Sequence, residues 1–322
     1  MPSMKDVAKL AGVAIGTVSR VINGNPTVTD EVRWKVQQAI EQLQYVPNEM
    51  ARNLKKQTSN LVALLVPTVW HPFFSELASY VEEELDSWGY KLLLCNSGSK
   101  PWKEKQIIGL LEQNKVAGIL GIFSNPVEES VLHRIPVVSI DRPFRANIPC
   151  VTSDNHAGGK LALHELVKAG ARRLAYLGSV PTVPNECVRR RDGFLEAASQ
   201  LGIPVTVFEP EEPIGDWNAY LERFLDQTPG IDGIFASQDE KAIRYIAFAE
   251  KRGIRVPEDV KVIGYDGIAF EGGLRASLST IRQPVEEMGR MAVRLLLQRI
   301  AGESMEEKVY PLPVVYRPGD TT

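Results

Sequence analysis

The stretch Lys5-Asp-Val-Ala-Lys-Leu-Ala-Gly-Val-Ala-Ile-Gly-Thr-Val-Ser-Arg-Val-Ile-Asn23 constrains the chain more than any other. It reads as two short helices around a tight turn. Ser3 and Asp6, three residues apart, make a capping-box pattern that opens the first helix. Val7 and Leu10 supply its inner face, and Ala8 is small enough for a second helix to approach. Gly12 falls where the chain must reverse, a place that needs backbone angles glycine tolerates. Val18, Val21 and Ile22 give the second helix an apolar stripe and leave Ile15, Gly16, Thr17, Ser19 and Arg20 outward. The pattern is a helix-turn-helix. The plainer alternative is an ordinary two-helix hairpin, which the segments that follow disfavour.

Gly24-Asn25-Pro26 ends the second helix. Thr29 is placed to cap a third, with Asp30 and Glu31 in its first turn, where the helix dipole favours them. Val32, Val36, Ile40 and Leu43 recur at helical spacing and close a three-helix core, which Pro47 is expected to stop. Charge supports a separate head. Through Thr58 the chain carries eight Lys and Arg against five acids, whereas the whole chain is net −3. A basic head on an acidic body suits a head that meets phosphates. Residues 48–56 form a short helical pattern with too little apolar surface to fold alone. They read either as an exposed linker or as a helix ordered only on DNA, with basic residues on phosphates and Leu54 wedged into the minor groove.

From Asn60 the pattern changes. Leu61–Val66 is a continuous apolar run, followed by a helical stretch from about Phe73 to Trp88. Strand-like runs follow at 91–95, 116–122 and 136–140, and the rhythm restarts after Asp154. There a helix to Lys168, a strand at 173–177, a helix through Phe194 and strands near 231–236 and 260–265 succeed one another. Apolar strands alternating with helices imply parallel sheets covered on both faces. Two such halves predict two doubly wound subdomains with a cleft between them. No apolar run approaches the roughly 20 residues of a membrane span, so a cytoplasmic protein is expected. Cys95, Cys150 and Cys187 lie far apart and the four histidines are scattered, so free thiols and no metal site are expected. No Gly-x-Gly-x-x-Gly, Walker loop or Gly-x-Ser-x-Gly elbow occurs, which argues against a doubly wound enzyme; no catalytic residue or cofactor is assigned.

The motifs Asp-Val-Ala-Lys-Leu-Ala-Gly-Val, Thr-Val-Ser-Arg-Val-Ile-Asn, Tyr45-x-Pro-Asn, Ala51-Arg-x-Leu54, His71-Pro-Phe-Phe74, Asp154-Asn-x-x-Gly-Gly159, Gly264-Tyr-Asp266 and Leu278-Ser-Thr-Ile-x-Gln-Pro284 run through almost the whole chain. On these motifs the sequence resembles the lactose-repressor (LacI/GalR) family of bacterial transcription regulators, and its pattern is similar to the ribose-operon repressor branch. The resemblance implies an all-α helix-turn-helix head (1–46), a hinge helix and linker (47–59), and an α/β core (60–322) of periplasmic-binding-protein type. That core would comprise one subdomain from 60–154 and 284–310 and another from 155–283 and 311–322, the chain crossing near Asp154, Gln283 and Tyr310.

The same resemblance implies roles for residues. Ile15, Gly16, Thr17, Ser19, Arg20 and Asn23 would face double-stranded operator DNA, joined by Ala51, Arg52, Leu54 and Lys55 of the hinge. A small effector, a sugar and by preference a pentose such as ribose, would be held by His71, Phe73, Phe74, Asp141, Arg142, Arg190, Trp217, Gln238, Asp266 and Gln283. Carboxylates, guanidinium groups and aromatic plates at the carboxyl ends of strands are what selecting a sugar requires. Departures exist. His71 replaces the family's usual Asn, Gln238 stands where Asn is usual, and Ala14 replaces the Ser that would cap the recognition helix. A dimer on a pseudo-palindromic operator, released by the effector, is expected, without the heptad tail that would make a tetramer. The other readings are a transport or sensory sugar-binding protein, which the helix-turn-helix opposes, and an enzyme acting on a sugar or sugar phosphate.

Overall fold

The computed structural model describes residues 2–45, 59–123, 135–144, 148–181, 185–268, 277–303, 305 and 309–322. The chain divides into two units, Met1–Ser59 and Asn60–Thr322.

The first unit contains α1 (Met4–Ala11), α2 (Ile15–Ile22) and α3 (Asp30–Gln42). At the start of α1 the Asp6 carboxylate accepts from the Ser3 backbone N–H at 2.8 Å and from its hydroxyl at 2.7 Å. Gly12 ends α1 in the left-handed conformation, φ +66°. Val7, Ala8, Val18, Val21, Val36, Ala39 and Tyr45 form the core. Leu10, expected inside, is instead 45% exposed. The small Ala8 takes that inner position, because a short α1 presents only a narrow stripe to its neighbours. Helix α3 ends before Pro47 is reached, at Leu43, with Gln44 at φ +48° turning Tyr45 back into the core. The hinge residues Ala51, Arg52, Leu54 and Lys55 lie outside the described residues.

The second unit holds two six-stranded sheets. The first contains β1 (Leu61–Val66), β2 (Lys91–Asn96), β3 (Gly118–Gly121), β4 (Val137–Ile140), β5 (Cys150–Ser153) and β11 (Val309–Leu312), in the order β2-β1-β3-β4-β5-β11. The second contains β6 (Leu174–Leu177), β7 (Val205–Phe208), β8 (Gly233–Ala236), β9 (Lys261–Asp266), β10 (Thr280–Arg282) and β12 (Val315–Arg317), in the order β7-β6-β8-β9-β10-β12. All pairings are parallel except β10 with β12. Both sheets repeat one doubly wound order. Strand β1 shows why its run is wholly apolar: Val62, Leu64 and Val66 join one core cluster, and Ala63 and Leu65 join the cluster on the opposite face.

Helices α4 (Pro72–Ser87), α5 (Pro101–Gln113) and α10 (Val285–Ile300) cover the first sheet; α6 (Asn155–Lys168), α7 (Arg189–Gln200), α8 (Trp217–Gln227) and α9 (Asp239–Glu250) cover the second. The chain passes between sheets after β5, after β10 and between β11 and β12. The third passage lies between Leu312 and Val315, close to Tyr310, which is a member of β11 paired with Val151.

Two glycines decide how α6 and α7 pack. A Cβ on Gly159 would stand 2.0 Å from the Arg190 carbonyl oxygen, and one on Gly193 would stand 2.0 Å from that of His156. The two backbones approach so closely only because neither position carries a side chain. This contact fixes the start of α7, and with it Arg190.

Candidate functional site

The strand order reverses at β1/β3 in the first sheet and at β6/β8 in the second, and ligands of such sheets sit outside the carboxyl ends at these points. There a cleft of about 530 Å³ opens between the two sheets. His71, Phe73 and Phe74 reach it from the turn after β1 and the start of α4, Asp141 and Arg142 from the end of β4. Arg190 comes from the first turn of α7, Gln238 from the turn after β8, Asp266 from the end of β9 and Gln283 from just past β10. Trp217 is the exception. Asp216 caps α8 by accepting from Asn218 and Ala219, which turns the indole onto Tyr220 at 5.4 Å with Arg244 over it at 4.4 Å. Trp217 is a packing residue, not a cleft wall.

Arg190 anchors the floor. It is 2% exposed, donates from Nε to Asn155 Oδ1 at 2.7 Å and from Nη1 to the Ser237 carbonyl at 2.8 Å, and lies over the Tyr265 ring at 3.7 Å. Its Nη1 stands 3.5 Å from Asp266 Oδ1, which also accepts from Gln283 Nε2 at 2.8 Å. Ser153 donates to Gln283 Oε1 at 2.8 Å, so the end of β5 holds the residue that holds Asp266. A buried charge persists only when paired and hydrogen-bonded, and this lattice does both.

The acids are unusual in backbone as well as environment. Asp141 has φ +56° and Asp266 has φ +123°, conformations that cost of order 1–3 kcal/mol for side-chain-bearing residues and cluster at functional sites. Burial pushes the Asp141 carboxyl up to about 6, against the attraction of Arg190 and its hydrogen bond from Thr152. Burial likewise raises Asp266, against Arg190 and His71. Behind the cleft, burial and the neighbouring Asp266 take Asp239 to about 7. Asp266 Oδ2 and both ring nitrogens of His71 are buried without a hydrogen-bond partner. Such groups carry a desolvation cost that a ligand's hydroxyls would relieve.

Several members of the site were not among the residues assigned to it from the sequence. Asn155, although part of the Asp154-Asn-x-x-Gly-Gly159 motif, and Ser153 act through Arg190 and Gln283. Cys187 and Asn185 line the cleft beside a single 3₁₀ turn, tied to the opposite sheet by the hydrogen bond from Glu186 N–H to the Asp141 carbonyl at 3.0 Å. The Cys187 thiol is pushed up to about 12 by burial and is no nucleophile. All three cysteines are free, and only Cys150 is fully buried. Among the described residues no cluster of His, Cys, Asp and Glu could hold a metal, and no helix is long and apolar enough to cross a membrane.

In the first unit, α2 buries Val18 and Val21 and presents Ile15, Gly16 and Arg20 outward, with Thr17 and Ser19 half-buried. Asn23 caps the helix end: its amide donates to the Ser19 carbonyl at 2.7 Å and hydroxyl at 3.3 Å. Ala14 occupies the N-cap and offers no side-chain bond.

A helix-turn-helix with a solvent-facing second helix, followed in one chain by a cleft-bearing pair of doubly wound sheets, defines a DNA-binding regulator with a small-molecule domain. Residues 3–48 match the family model described as bacterial regulatory proteins, lacI family, and residues 163–322 that of the periplasmic binding protein-like domain. The chain is 38% identical to the ribose operon repressor of Bacillus subtilis (strain 168), with 100% of this chain and 99% of that protein covered. It is 35% identical to the ribose operon repressor of Halalkalibacterium halodurans (100% and 97% covered) and 36% identical to the sucrose operon repressor of Pediococcus pentosaceus (97% and 97%). Among solved structures, a transcriptional regulator CelR–cellobiose complex aligns with TM-score 0.72 at 29% identity, with all of both chains covered. A lac repressor dimer bound to operator aligns with TM-score 0.87 at 22% identity over 99% of this chain and 98% of that one, a likeness of fold. This chain belongs to the lacI family of bacterial regulatory proteins, and its relatives are DNA-binding regulators, not enzymes.

Proposed function

We propose that the protein is a cytoplasmic repressor that binds a pseudo-palindromic operator as a homodimer and releases it when a sugar, by preference a pentose such as ribose, fills the core cleft. The observation that carries this reading is the convergence of His71, Asp141, Arg190, Gln238, Asp266 and Gln283, drawn from both sheets, on one cleft. Paired carboxylates and an amide-braced guanidinium beside Phe73 and Phe74 suit the hydroxyls and apolar face of a monosaccharide. Because the walls come from two sheets, a ligand bridging them favours one relative arrangement of the lobes, and that shift of population is what the operator-binding units would sense. The names of the relatives, ribose and sucrose operon repressors, support a sugar of this general kind.

The outward residues of α2, with Arg20 foremost, would read base edges, while Ala51, Arg52, Leu54 and Lys55 would engage the backbone and minor groove. A dimer is supported by β2, which among the described residues pairs with β1 alone and exposes Leu93 and Leu94 at 42% and 44%. An open apolar strand edge of this kind is ordinarily covered.

Selection of the full chain on randomised duplex DNA should return a two-fold sequence whose binding weakens steeply with salt and is released by D-ribose. Recovery of no preferred sequence would refute the operator reading. In the same assay Arg20→Ala should flatten base preference at one position of each half-site. An equal loss on operator and random DNA would assign Arg20 to phosphate instead.

A further inference from the structure

Lys241 is 3% exposed and sits in the first turn of α9, two unfavourable places for an ammonium group. Burial disfavours its charge, and the positive end of the helix dipole repels it. It does not line the cleft. It faces a side chamber of about 120 Å³ that adjoins the cleft, and Gln238, like Arg190 and Glu212, belongs to both spaces. Lys241 Nζ donates to Gln238 Oε1 at 2.5 Å. Glu212, Asp266 and Glu240 attract the ammonium, Arg190 repels it, and burial draws its pKa below the ordinary lysine value.

The direction of that bond fixes the amide. An ammonium group has three donors and no acceptor, so Gln238 can meet it only with its carbonyl oxygen. Gln238 caps α9 without using its side chain, and its Nε2 has no hydrogen bond to any described residue. The amide –NH₂ is therefore the face available to the cleft.

We propose that Lys241 is a specificity-determining positioning residue: from behind the wall it locks the Gln238 amide so that this point of the cleft offers a donor, selecting an effector that places an acceptor, a hydroxyl or ring oxygen lone pair, against it. The inference rests on the reading of the cleft as the sugar site. Without Lys241 the amide is free to turn over, and the wall presents donor and acceptor indifferently. An apolar side chain would fill the same space without the cost of burying an ammonium group.

A double-mutant cycle tests this on the full-length chain. Binding of D-ribose, D-xylulose, sucrose and cellobiose is measured by calorimetry, and the tightest is carried through Lys241→Met, Gln238→Met, the double variant and Lys241→Arg. Gln238→Met, which deletes the donor, should weaken binding about tenfold, and Lys241→Met, which only unlocks it, should weaken binding by no more than that. The double variant should be no weaker than Gln238→Met, since Lys241 acts only through that amide. Lys241→Arg, again donor-only, should stay within about threefold of the parent and keeps the test open if Lys241→Met does not fold. Lys241→Met that folds should melt no lower than the parent while binding less well, a split that a merely structural lysine would not produce. Additive losses, unchanged binding in Lys241→Met, or a loss in Lys241→Arg equal to that in Lys241→Met would overturn the positioning role and leave the sugar site standing. A parent chain that binds none of the four sugars would bring down the sugar reading and this inference with it.

Discussion

His71 and Asp266 approach to 3.9 Å, Nε2 to Oδ2, across the cleft from opposite sheets, and neither atom has a hydrogen-bond partner among the described residues. The approach is too long for a direct hydrogen bond, but one ligand hydroxyl could serve both atoms. Asp266 Oδ1 is already committed to Gln283, so Oδ2 is the oxygen left for a ligand.

Asp266→Asn keeps the shape and the acceptor for Gln283 but discards the charge. Hydrogen bonds to charged groups contribute roughly 1.5–3 kcal/mol, so sugar affinity should fall about 10- to 100-fold while the core still melts cooperatively. Calorimetric titration with D-ribose measures the first and thermal unfolding the second; full affinity in the variant would remove Asp266 from the site.

Arg190→Ala should act on folding as well as on binding. It strands the Asn155 carbonyl oxygen, the Ser237 carbonyl and the Asp266 carboxylate in a buried setting. Breaking a buried pair by removing one partner costs about 3–5 kcal/mol, to be read from urea unfolding of the full chain. A loss below about 1 kcal/mol would show that water replaces the guanidinium.

Gly193→Ala forces α6 and α7 apart, since the new Cβ has only backbone to meet. Overpacking of this kind costs typically 1–3 kcal/mol and occasionally more. Gly109→Ala, in the middle of α5 with open space around it, should instead stabilise by about 0.5–1 kcal/mol. Denaturant midpoints that move together would refute the contrast.

Proton uptake should favour the folded core. Asp141 at about 6 and Asp239 at about 7 lie above the ordinary 3.8, so the folded state holds protons that the unfolded chain has lost. Their contribution is greatest at low pH and is lost as pH rises from about 4 through 6 for Asp141 and through 7 for Asp239. Asp141→Asn should flatten the lower part of that slope and raise stability at pH 7. A slope unchanged in the variant would place the titration elsewhere.

Leu94→Arg puts a charge on the open edge of β2, where Leu93 and Leu94 face outward. The full chain should then sediment as a monomer at micromolar concentration, and operator affinity should drop because two half-sites are no longer engaged together. A dimer that survives the change would move the interface off this edge.

Much of this molecule is written locally. The five consecutive buried residues Val62–Val66 mark a strand covered on both faces, and Gly12 with the Val18–Val21 stripe marks the helix-turn-helix, whose core α3 then completes. The carboxyl ends of β4, β8 and β9 then bring Asp141, Gln238 and Asp266 to the cleft, because a doubly wound sheet sends every such turn to one edge. What periodicity could not give is which side chain a capped helix turns inward. Leu10 was placed inside by helical spacing and Trp217 in the cleft by the family resemblance; the structure has the first 45% exposed and the second packed on Tyr220.

Nor could the sequence foretell that Ser153 would brace Gln283, that Asn155 would fix Arg190, or that Lys241 would hold Gln238 from behind. The amino-acid order by itself determined the family, the two-sheet core and the chemical kinds of residue at the strand ends, since these follow from hydrophobic period and turn position. Only the tertiary structure decided their orientation, charge state and mutual support. Hydrogen bonds and desolvation depend on distances of a few ångströms between segments far apart in the chain, and no local pattern records those distances.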